Sequence, residues 1–294
     1  MAEVTATASA PSLPAGSPTR NALRLLLRHR LAMFGAVLVA LVVGLAVLAP
    51  WIAPHEPNRM DYKAVLSGPT AEHPFGTDEL GRDLLSRTLY GARLSLRVGL
   101  VAVLVAVAIG VPIGLVSGYL GGVFDEVVMR VVDAVMALPA LVLALTISAV
   151  LGPGVWNATV AIAVVAAPTY TRLVRGQVLS VKENDYVLAA QCIGAPTWVI
   201  LLRHILANAF SPIIVQASLG VGFAIILEAS LSFIGLGAQP PTPSWGNMVQ
   251  VGFQYLEIAP GFVLVPATAI FLAVLGFNML GDGLRDTLDP RSHG

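Results

Sequence analysis

Long stretches without a charged residue restrict the fold of this chain more than any other feature. Residues 31–53 and 134–171 contain no Asp, Glu, Lys or Arg. An α-helix needs about 20 mostly apolar residues to cross the hydrocarbon core of a bilayer, where every backbone polar group must be paired within the protein. These stretches therefore predict an all-α membrane protein. Only 12% of the residues are charged, against about 25% in soluble domains, so the chain lacks the polar surface of a soluble fold.

Six membrane-spanning helices are predicted from the apolar segments. Residues 134–171 are too long for one span, and Gly152-Pro153-Gly154 is expected to divide them into a hairpin, because Gly and Pro end helices. The expected spans are 31–53, 98–120, the two halves of 134–171, 205–227 and 260–280. The predicted organisation is a disordered cytoplasmic tail (1–30), the first span (31–53), an extracytoplasmic segment (54–97), a five-helix core (98–284) that contains the loop 172–204, and a cytoplasmic tail (285–294).

The orientation in the membrane is predicted from Lys and Arg, which concentrate on the cytoplasmic side. Four arginines lie between residues 20 and 30, four basic residues lie in the loop 172–204, and the loop 228–259 has none. This distribution predicts cytoplasmic N- and C-termini, and the plasma (inner) membrane is the expected location. The segment 54–97 is an exception, since it lies outside in this topology yet carries six basic residues, which six acidic residues balance.

The loop 172–204 is predicted to contain a short helix over residues 186–193. Asn184 or Asp185 is suited to cap its N-terminus, because their side chains accept hydrogen bonds from free backbone N–H groups. Gly194 is expected to supply the left-handed turn that ends the helix. Pro196 then suits the first turn of the next helix.

The small residues Ala189 and Ala190 leave one face of this short helix without bulk. A second protein would be able to approach the helix backbone closely there. A helix that lies on the membrane surface is the alternative interpretation, and the residue spacing does not separate the two.

The loop after the fifth predicted span is stiff and apolar. Pro240, Pro241 and Pro243 fix its backbone, and Trp245 suits the boundary between membrane and water. Such a loop would line the mouth of a pore or cover a partner, whereas a rigid connection between two spans is the alternative. The residues assigned to this candidate gate are Phe233, Gly235, Gly237, Pro240, Pro241 and Trp245.

Three glycines recur every four residues in the second predicted span, at Gly110, Gly114 and Gly118. Small residues at this spacing let helices pack closely in lipid. Helix packing is therefore favoured over a direct role in transport.

Several kinds of activity are excluded by what the sequence lacks. It has no Gly-rich loop followed by Lys and Ser or Thr that would bind ATP, and a single cysteine, Cys192, cannot form an internal disulfide. The five histidines are scattered along the chain, so no metal site, cofactor or catalytic residue is expected. Asp133 and Glu228 lie near predicted span ends, which leaves the span centres without the ionisable groups of proton-coupled transporters. A net charge of zero argues against nucleic-acid binding.

Four stretches together resemble the C-type permease subunit of oligopeptide and dipeptide ABC importers. They are His73-Pro-Phe-Gly-Thr-Asp-Glu-Leu-Gly-Arg-Asp83 with its continuation to Leu96, and residues 186–206, 228–246 and 278–291. The resemblance covers nearly the whole chain after the N-terminal tail. It implies a type I ABC importer permease fold and a non-catalytic subunit that forms half of a heterodimeric pore for peptides. The implied partners are a second permease, one or two cytoplasmic ATPase subunits and an extracytoplasmic peptide-binding protein.

The resemblance also implies that the loop 172–204 is a coupling loop that docks an ATPase subunit. Two positions depart from the family pattern, because Leu188 replaces the usual Glu and Ala207 stands where Pro is frequent. Without that carboxylate, docking is expected to depend more on apolar packing. The residues assigned to docking are Asp185, Tyr186, Leu188, Ala189, Ala190, Gly194 and Ala195.

Two alternatives to peptide import remain open at the level of sequence. Nickel, haem or glutathione would be the cargo in the first, because importers of these compounds have closely related permeases. The second is an ATP-independent channel or a membrane scaffold, which would bind no ATPase through the coupling loop.

Overall fold

The computed structural model describes residues 30–288, so most of the two predicted tails, at positions 1–29 and 289–294, lies outside the described residues. Residues 285–288, predicted to belong to the C-terminal tail, instead continue the last helix. The described part of the chain is built from helices, with no strand assigned. The helices are α1 (Arg30–Ile52), α2 (Leu84–Leu120), α3 (Gly122–Met136), α4 (Ala140–Leu151), α5 (Val155–Val181), α6 (Asp185–Cys192), α7 (Thr197–Phe233), α8 (Trp245–Phe253) and α9 (Gly261–Leu288). Helix α7 contains a π-helical stretch at Ile200–Ile205.

The predicted class, an all-α membrane protein, is confirmed. Four helices, α1, α2, α7 and α9, are long and apolar enough to cross a membrane, and the bent pair α3 and α4 makes a fifth crossing if it forms one span. Helix α5 has 27 residues, a length of about 40 Å at 1.5 Å per residue. Six spans remain the prediction that is consistent with these lengths.

The second span begins earlier than the sequence indicated, at Leu84 instead of residue 98. Asp83 caps the helix, because its carboxylate accepts a hydrogen bond from the Ser86 backbone N–H at 2.7 Å. The first turns of α2 carry arginines that lower their hydropathy, and Arg87 is buried beside the Asp78 carboxylate at 3.3 Å. Hydropathy therefore detected only the most apolar part of α2.

The predicted third span was wrong in its extent. The break at Gly152-Pro153-Gly154 lies where it was predicted, between the end of α4 and the start of α5. A second break separates α3 from α4, and the two helix axes differ by 91°. Pro139 precedes α4 as its N-cap residue, and Pro lacks the N–H group that would continue the helix of α3.

The α2–α5 pair is packed through the glycine stripe of α2. A Cβ atom at Gly110 would lie 2.5 Å from the carbonyl oxygen of Ala167, and one at Gly114 would lie 2.5 Å from that of Thr171. At Gly118 it would meet the Val178 side chain at 2.9 Å. The backbones of the two helices approach too closely for any larger residue.

One end of the helix bundle gathers three connections. The Gly154 N–H, in the turn between α4 and α5, donates a hydrogen bond to the carbonyl of Leu236, in the loop after α7, at 3.1 Å. The Trp245 indole Nε1 at the start of α8 donates to the Thr88 carbonyl near the start of α2 at 2.9 Å. The segment before α2 and the loops before α5 and α8 therefore share one end.

The opposite end holds α6 and both ends of the described chain. Lys182 follows α5 and donates from Nζ to the Gly118 carbonyl near the end of α2 at 3.3 Å. Gly283 of α9 lies directly against Ala32 of α1. This separation of the connections is the one that the predicted topology requires.

Candidate functional site

The loop between α5 and α7 forms the short helix α6, one residue away from the predicted bounds. Asn184 is its N-cap residue, with an extended backbone at φ −73° and ψ 142°, but the Asn184 side chain makes no capping hydrogen bond. Gly194 has φ +77°, which is the left-handed conformation predicted for it and is favourable for glycine. Pro196 is the N-cap residue of α7 and lies just before its first turn.

The inner face of α6 is anchored in the protein. Val187 is 0% exposed and Ala190 is 7% exposed. Both belong to an apolar cluster whose other buried members come from α2 (Val111, Leu115), α5 (Val174, Val178, Val181) and α7 (Ile200, Ile205, Ala209, Ile213). Since three long helices contribute to one packed cluster, α6 is fixed to all of them.

The outer face of α6 is open to solvent. Asp185, Tyr186, Leu188 and Ala189 are exposed, and Leu188 retains 45% of its accessible surface. The alanine pair singled out in the sequence is thus divided, because only Ala189 presents its side chain outward. Ala190 faces the apolar cluster and is available to a partner only through the backbone.

The turn after α6 continues this surface. Ile193 is 85% exposed and Gly194 is exposed beside it. The Ala195 N–H donates to the Ala190 carbonyl at 3.0 Å, which fixes the turn against the helix. Two large apolar side chains, Leu188 and Ile193, therefore project from a rigid support.

The first turn of α6 is held against α7 through Tyr186. The Tyr186 hydroxyl accepts a hydrogen bond from Asn208 Nδ2 at 3.2 Å, and the Tyr186 ring centroid lies 6.1 Å from that of His204. A shallow depression of about 480 Å³ borders α6, lined by Tyr119, Lys182, Glu183, Leu188 and Gln191. Contacts with α7 therefore hold the start of α6 in place, and the surface beside α6 has a shallow depression.

At the other end of the bundle, the loop after α7 and helix α8 form an outer cap over the start of α2. Trp245 is 1% exposed and its Nε1 is hydrogen-bonded to the Thr88 carbonyl. The prediction that Trp245 lies at the boundary between membrane and water was therefore wrong. Its indole fits over Gly91, where a Cβ atom would lie 2.9 Å from Trp245 Cδ1, so the glycine makes room for the ring.

The other predicted gate residues lie on different sides of the cap. Phe233 is 41% exposed, and Gly235 is exposed with φ +87°. Pro240 and Pro241 are exposed and joined by a cis peptide bond. Gly237 is buried and lies in direct contact with Ser232. The four exposed residues lie on the outer surface of the cap, whereas Gly237 and Trp245 are buried and hold the cap in place.

Basic residues in the segment before α2 are paired with carboxylates. Arg82 Nε donates to Asp78 Oδ2 at 2.6 Å and Arg82 Nη2 to Glu79 Oε1 at 2.8 Å. Burial raises the pKa of the Glu79 carboxyl above its ordinary value, and the Asp78 charge acts in the same direction. Arg82, one of the six basic residues of segment 54–97 that conflict with the orientation rule, is thus paired with two carboxylates.

Comparison with known proteins settles the family. Residues 110–294 match the family described as the binding-protein-dependent transport system inner membrane component. Residues 17–69 match the N-terminal TM domain of oligopeptide transport permease C. The chain belongs to this permease family.

Relatives of the permease align over almost its entire length. It is 45% identical over 275 residues to the dipeptide transport system permease protein DppC of Alkalihalophilus pseudofirmus, covering 94% of this chain and 90% of the relative. It is 47% identical over 264 residues to the probable D,D-dipeptide transport system permease protein DdpC of Escherichia coli K12, covering 90% and 89%. It is 48% identical over 268 residues to the glutathione transport system permease protein GsiD of Shigella flexneri, covering 91% and 88%. The resemblance found in four stretches is confirmed, as is the assignment to a transport subunit instead of an enzyme.

One buried carboxylate of the permease was missed by sequence reasoning. Glu228 is 2% exposed within α7, so the expectation that it reaches the interface was wrong. Ser95 Oγ of α2 donates to Glu228 Oε2 at 2.7 Å, and Ser232 Oγ donates to Oε1 at 2.8 Å. The Ser232 hydroxyl also accepts the Ala238 N–H at 3.1 Å. The four-residue spacing of Glu228 and Ser232 was visible in the sequence, but the approach of Ser95 was not.

A second polar connection of the permease lies near the end that holds α6. Arg175 of α5 makes two hydrogen bonds to the Asp125 carboxylate of α3, each 2.6 Å long. Ser117 Oγ of α2 donates to the same carboxylate at 2.5 Å. Asp125 therefore joins α2, α3 and α5 at this end of the bundle. Asp133, by contrast, is exposed and pairs with Arg172.

Proposed function

We propose that the chain is the permease subunit of an ATP-driven importer of dipeptides and oligopeptides. It forms one half of the translocation path with a second permease, receives cargo from an extracytoplasmic binding protein and docks a cytoplasmic ATPase subunit. The observation that carries this proposal is the pair of faces on α6, of which one is anchored in the bundle and the other is exposed. Membership of the binding-protein-dependent family supports the general assignment to an ABC transport system.

The docking surface consists of the outward residues of α6 and the turn that follows it. Leu188 and Ile193 offer apolar area, and Ala189 and Gly194 allow a close approach of the partner backbone. Asp185 supplies one negative charge at the N-terminal end of α6, where a negative charge also interacts favourably with the helix dipole. A groove on the ATPase that accepts a short helix is complementary to this surface.

The ATPase subunits drive the permease through a difference in their binding affinity for its two conformations. When ATP draws two ATPase subunits together, the docked helices move with them. Because Val187 and Ala190 share an apolar cluster with α2, α5 and α7, a displacement of α6 displaces those helices as well. The ATPases must bind the outward-open and inward-open permease with different affinity, since equal affinity would leave the equilibrium between them unchanged.

The proposed topology places α6 and both chain termini in the cytoplasm. The four basic residues of the loop 172–204 support this choice. The outer cap then faces the extracytoplasmic side, and its exposed residues Phe233, Gly235, Pro240 and Pro241 form the surface that meets the binding protein or the second permease.

Short peptides are the proposed cargo. Relatives of similar identity are named for dipeptide, D,D-dipeptide and glutathione transport, and these compounds share amide bonds and a terminal carboxylate. Glutathione is the second candidate, because a glutathione permease at 48% identity is as similar as the dipeptide relatives.

The experiment is an ATPase assay of the complex in lipid vesicles. The permease is reconstituted with its cognate second permease, ATPase subunits and binding protein, and separate samples receive dipeptides, a mixed oligopeptide pool, glutathione, haem or nickel. Stimulation by dipeptides or oligopeptides through the binding protein is the expected result. Stimulation by glutathione, haem or nickel alone would keep the architecture and replace the cargo, whereas failure of any ATPase to associate would reject the importer assignment.

A further inference from the structure

Two histidines and an aspartate that are distant in sequence meet on the outer-cap side of the bundle. His55 follows the end of α1, His73 lies in the middle of the connection to α2, and Asp83 is the N-cap residue of α2. One ligand atom from each lies within 4.8 Å of the others. Two of the five histidines, which look scattered along the sequence, are therefore brought together by the fold, against the expectation that no ligand cluster exists.

The three side chains offer their ligand atoms inside the protein. His73 is 6% exposed and Asp83 is 1% exposed. His73 Nδ1 lies 3.0 Å from Asp83 Oδ1, and the His55 and His73 ring centroids are 4.8 Å apart. His55 Nδ1 is buried and has no hydrogen-bond partner. An unpaired buried ring nitrogen is costly, so the His55 nitrogen is an observation that ordinary packing does not account for.

Ser86 holds the Asp83 side chain and the His55 backbone in position. Its backbone N–H and its hydroxyl both donate to Asp83 Oδ2 at 2.7 Å, which leaves Oδ1 directed toward His73. The Ser86 hydroxyl also accepts the His55 backbone N–H at 3.1 Å. Hydrogen bonds that orient ligand side chains in this way are a regular part of metal sites in proteins.

We propose that His55, His73 and Asp83 bind a divalent zinc ion. Two imidazoles and one carboxylate form a nitrogen and oxygen ligand set that zinc accepts at about 2.0–2.2 Å, with water or another ligand in the fourth position. Those bond lengths place neighbouring ligand atoms about 3.3 Å apart in a tetrahedral site. The distance of 3.0 Å between His73 Nδ1 and Asp83 Oδ1 is close to this spacing. The ligand atoms lie within 4.8 Å of one another, so a movement of the partly exposed His55 ring by about 1.5 Å would complete the site.

The ion would tie together the two ends of the connection between α1 and α2. His55 comes three residues after the end of α1 and Asp83 directly before α2, so a metal ion bound to both closes the intervening loop. Metal binding of this kind contributes to folding, because the unfolded chain does not hold the ligands together. The role is structural and independent of the cargo.

The test measures zinc on the purified permease complex after removal of metal with a chelator. The complex is dialysed against zinc chloride, separated from free metal by gel filtration and analysed for bound zinc, and its thermal unfolding is recorded with and without zinc. The informative variant is His55→Phe, which keeps a ring beside His73 and removes the ligand atom. His204→Phe is the matched control, since it alters a histidine ring at the opposite end of the bundle. Asp83→Asn keeps an oxygen for Ser86 and removes the carboxylate charge.

The expected result is one more zinc ion per permease chain in the wild type and in His204→Phe than in His55→Phe. Zinc should raise the melting temperature of the wild type by several degrees and leave that of His55→Phe unchanged, with Asp83→Asn binding zinc more weakly. Equal zinc content in the wild type and His55→Phe, including none in both, would overturn the proposal. Zinc retention by both without a difference in melting temperature would place the metal elsewhere in the complex and overturn it equally.

Discussion

The Trp245 indole nitrogen donates a hydrogen bond to the Thr88 carbonyl at 2.9 Å, across 157 residues of sequence. This bond fastens the outer cap to the first turns of α2. Gly91 lies beneath the same indole ring and has no side chain to obstruct it. The cap is therefore positioned by a buried tryptophan, and the exposed prolines of its loop are free to meet other proteins.

Replacing Trp245 with Phe should destabilise the cap. The change removes one hydrogen bond, a loss of about 1 kcal/mol, and leaves part of the indole volume empty, which adds to the cost. We expect a lower melting temperature, measured as the fraction of protein that remains monodisperse after heating. Trp156→Phe is the control, because Trp156 is 67% exposed and should tolerate the change. Equal melting temperatures of the two variants would contradict a structural role of Trp245.

Glu228 should tolerate replacement by Gln better than replacement by Leu. Gln keeps a carbonyl oxygen for Ser95 or Ser232, whereas Leu removes both acceptors and leaves the hydroxyls without their partner, at a cost of about 1–3 kcal/mol. Thermal unfolding in detergent measures the difference. Glu257→Leu is the exposed control and should leave stability unchanged. The interpretation of the Ser95–Glu228–Ser232 contacts would be wrong if Gln and Leu were equally damaging.

Gly114→Leu should separate α2 from α5. A Cβ atom at this position already meets the Thr171 carbonyl at 2.5 Å, so a larger side chain forces the helices apart, and overpacking of this kind costs about 1–3 kcal/mol or more. The measurement is the yield of monodisperse protein and its melting temperature. Gly44→Leu on α1 is the matched control, since a Cβ atom at Gly44 would point into open space, with no neighbouring helix within 4 Å. A Gly114→Leu variant as stable as Gly44→Leu would show that the glycine stripe does not set the α2–α5 distance.

Ala189→Arg should prevent association with the ATPase subunit. Ala189 is exposed on α6, so the long charged side chain fills the space that a docked groove requires and leaves the apolar cluster under Val187 intact. Co-purification of the ATPase with a tagged permease measures the effect, and a loss of at least tenfold is expected. Ala71→Arg, at an exposed alanine on the outer-cap side, should co-purify as the wild type does. Retention of the ATPase by Ala189→Arg would remove α6 from the docking surface.

The apolar pattern predicted the class and most helices of the permease, because a membrane-spanning helix is defined by length and hydropathy alone. It failed where helices leave the hydrocarbon or change direction. The start of α2 at Leu84 was hidden by Arg87, Arg93 and Arg97, of which Arg87 is paired with Asp78 in the fold. The bend before Pro139 was hidden because it lies inside the uncharged stretch 134–171.

The candidate site was predicted where local sequence determines local structure. A helix followed by Gly194 could be recognised within a few residues, and Gly194 adopts the expected left-handed backbone. Contacts between distant segments could not be found in this way. The burial of Trp245 over Gly91, the approach of Ser95 to Glu228 and the meeting of His55 with His73 depend on how the helices pack.

The bend between α3 and α4 makes this flank of the molecule sensitive to the thickness of the surrounding lipid. Helix α4 has 12 residues and spans only about 18 Å, less than the roughly 30 Å of a typical hydrocarbon core. Helix α2, with 37 residues, exceeds that thickness from end to end. In a thicker bilayer α2 still reaches across by its own length, whereas α4 crosses only together with α3 through their 91° bend. We therefore expect membranes of different acyl-chain length to strain the two sides of the permease unequally.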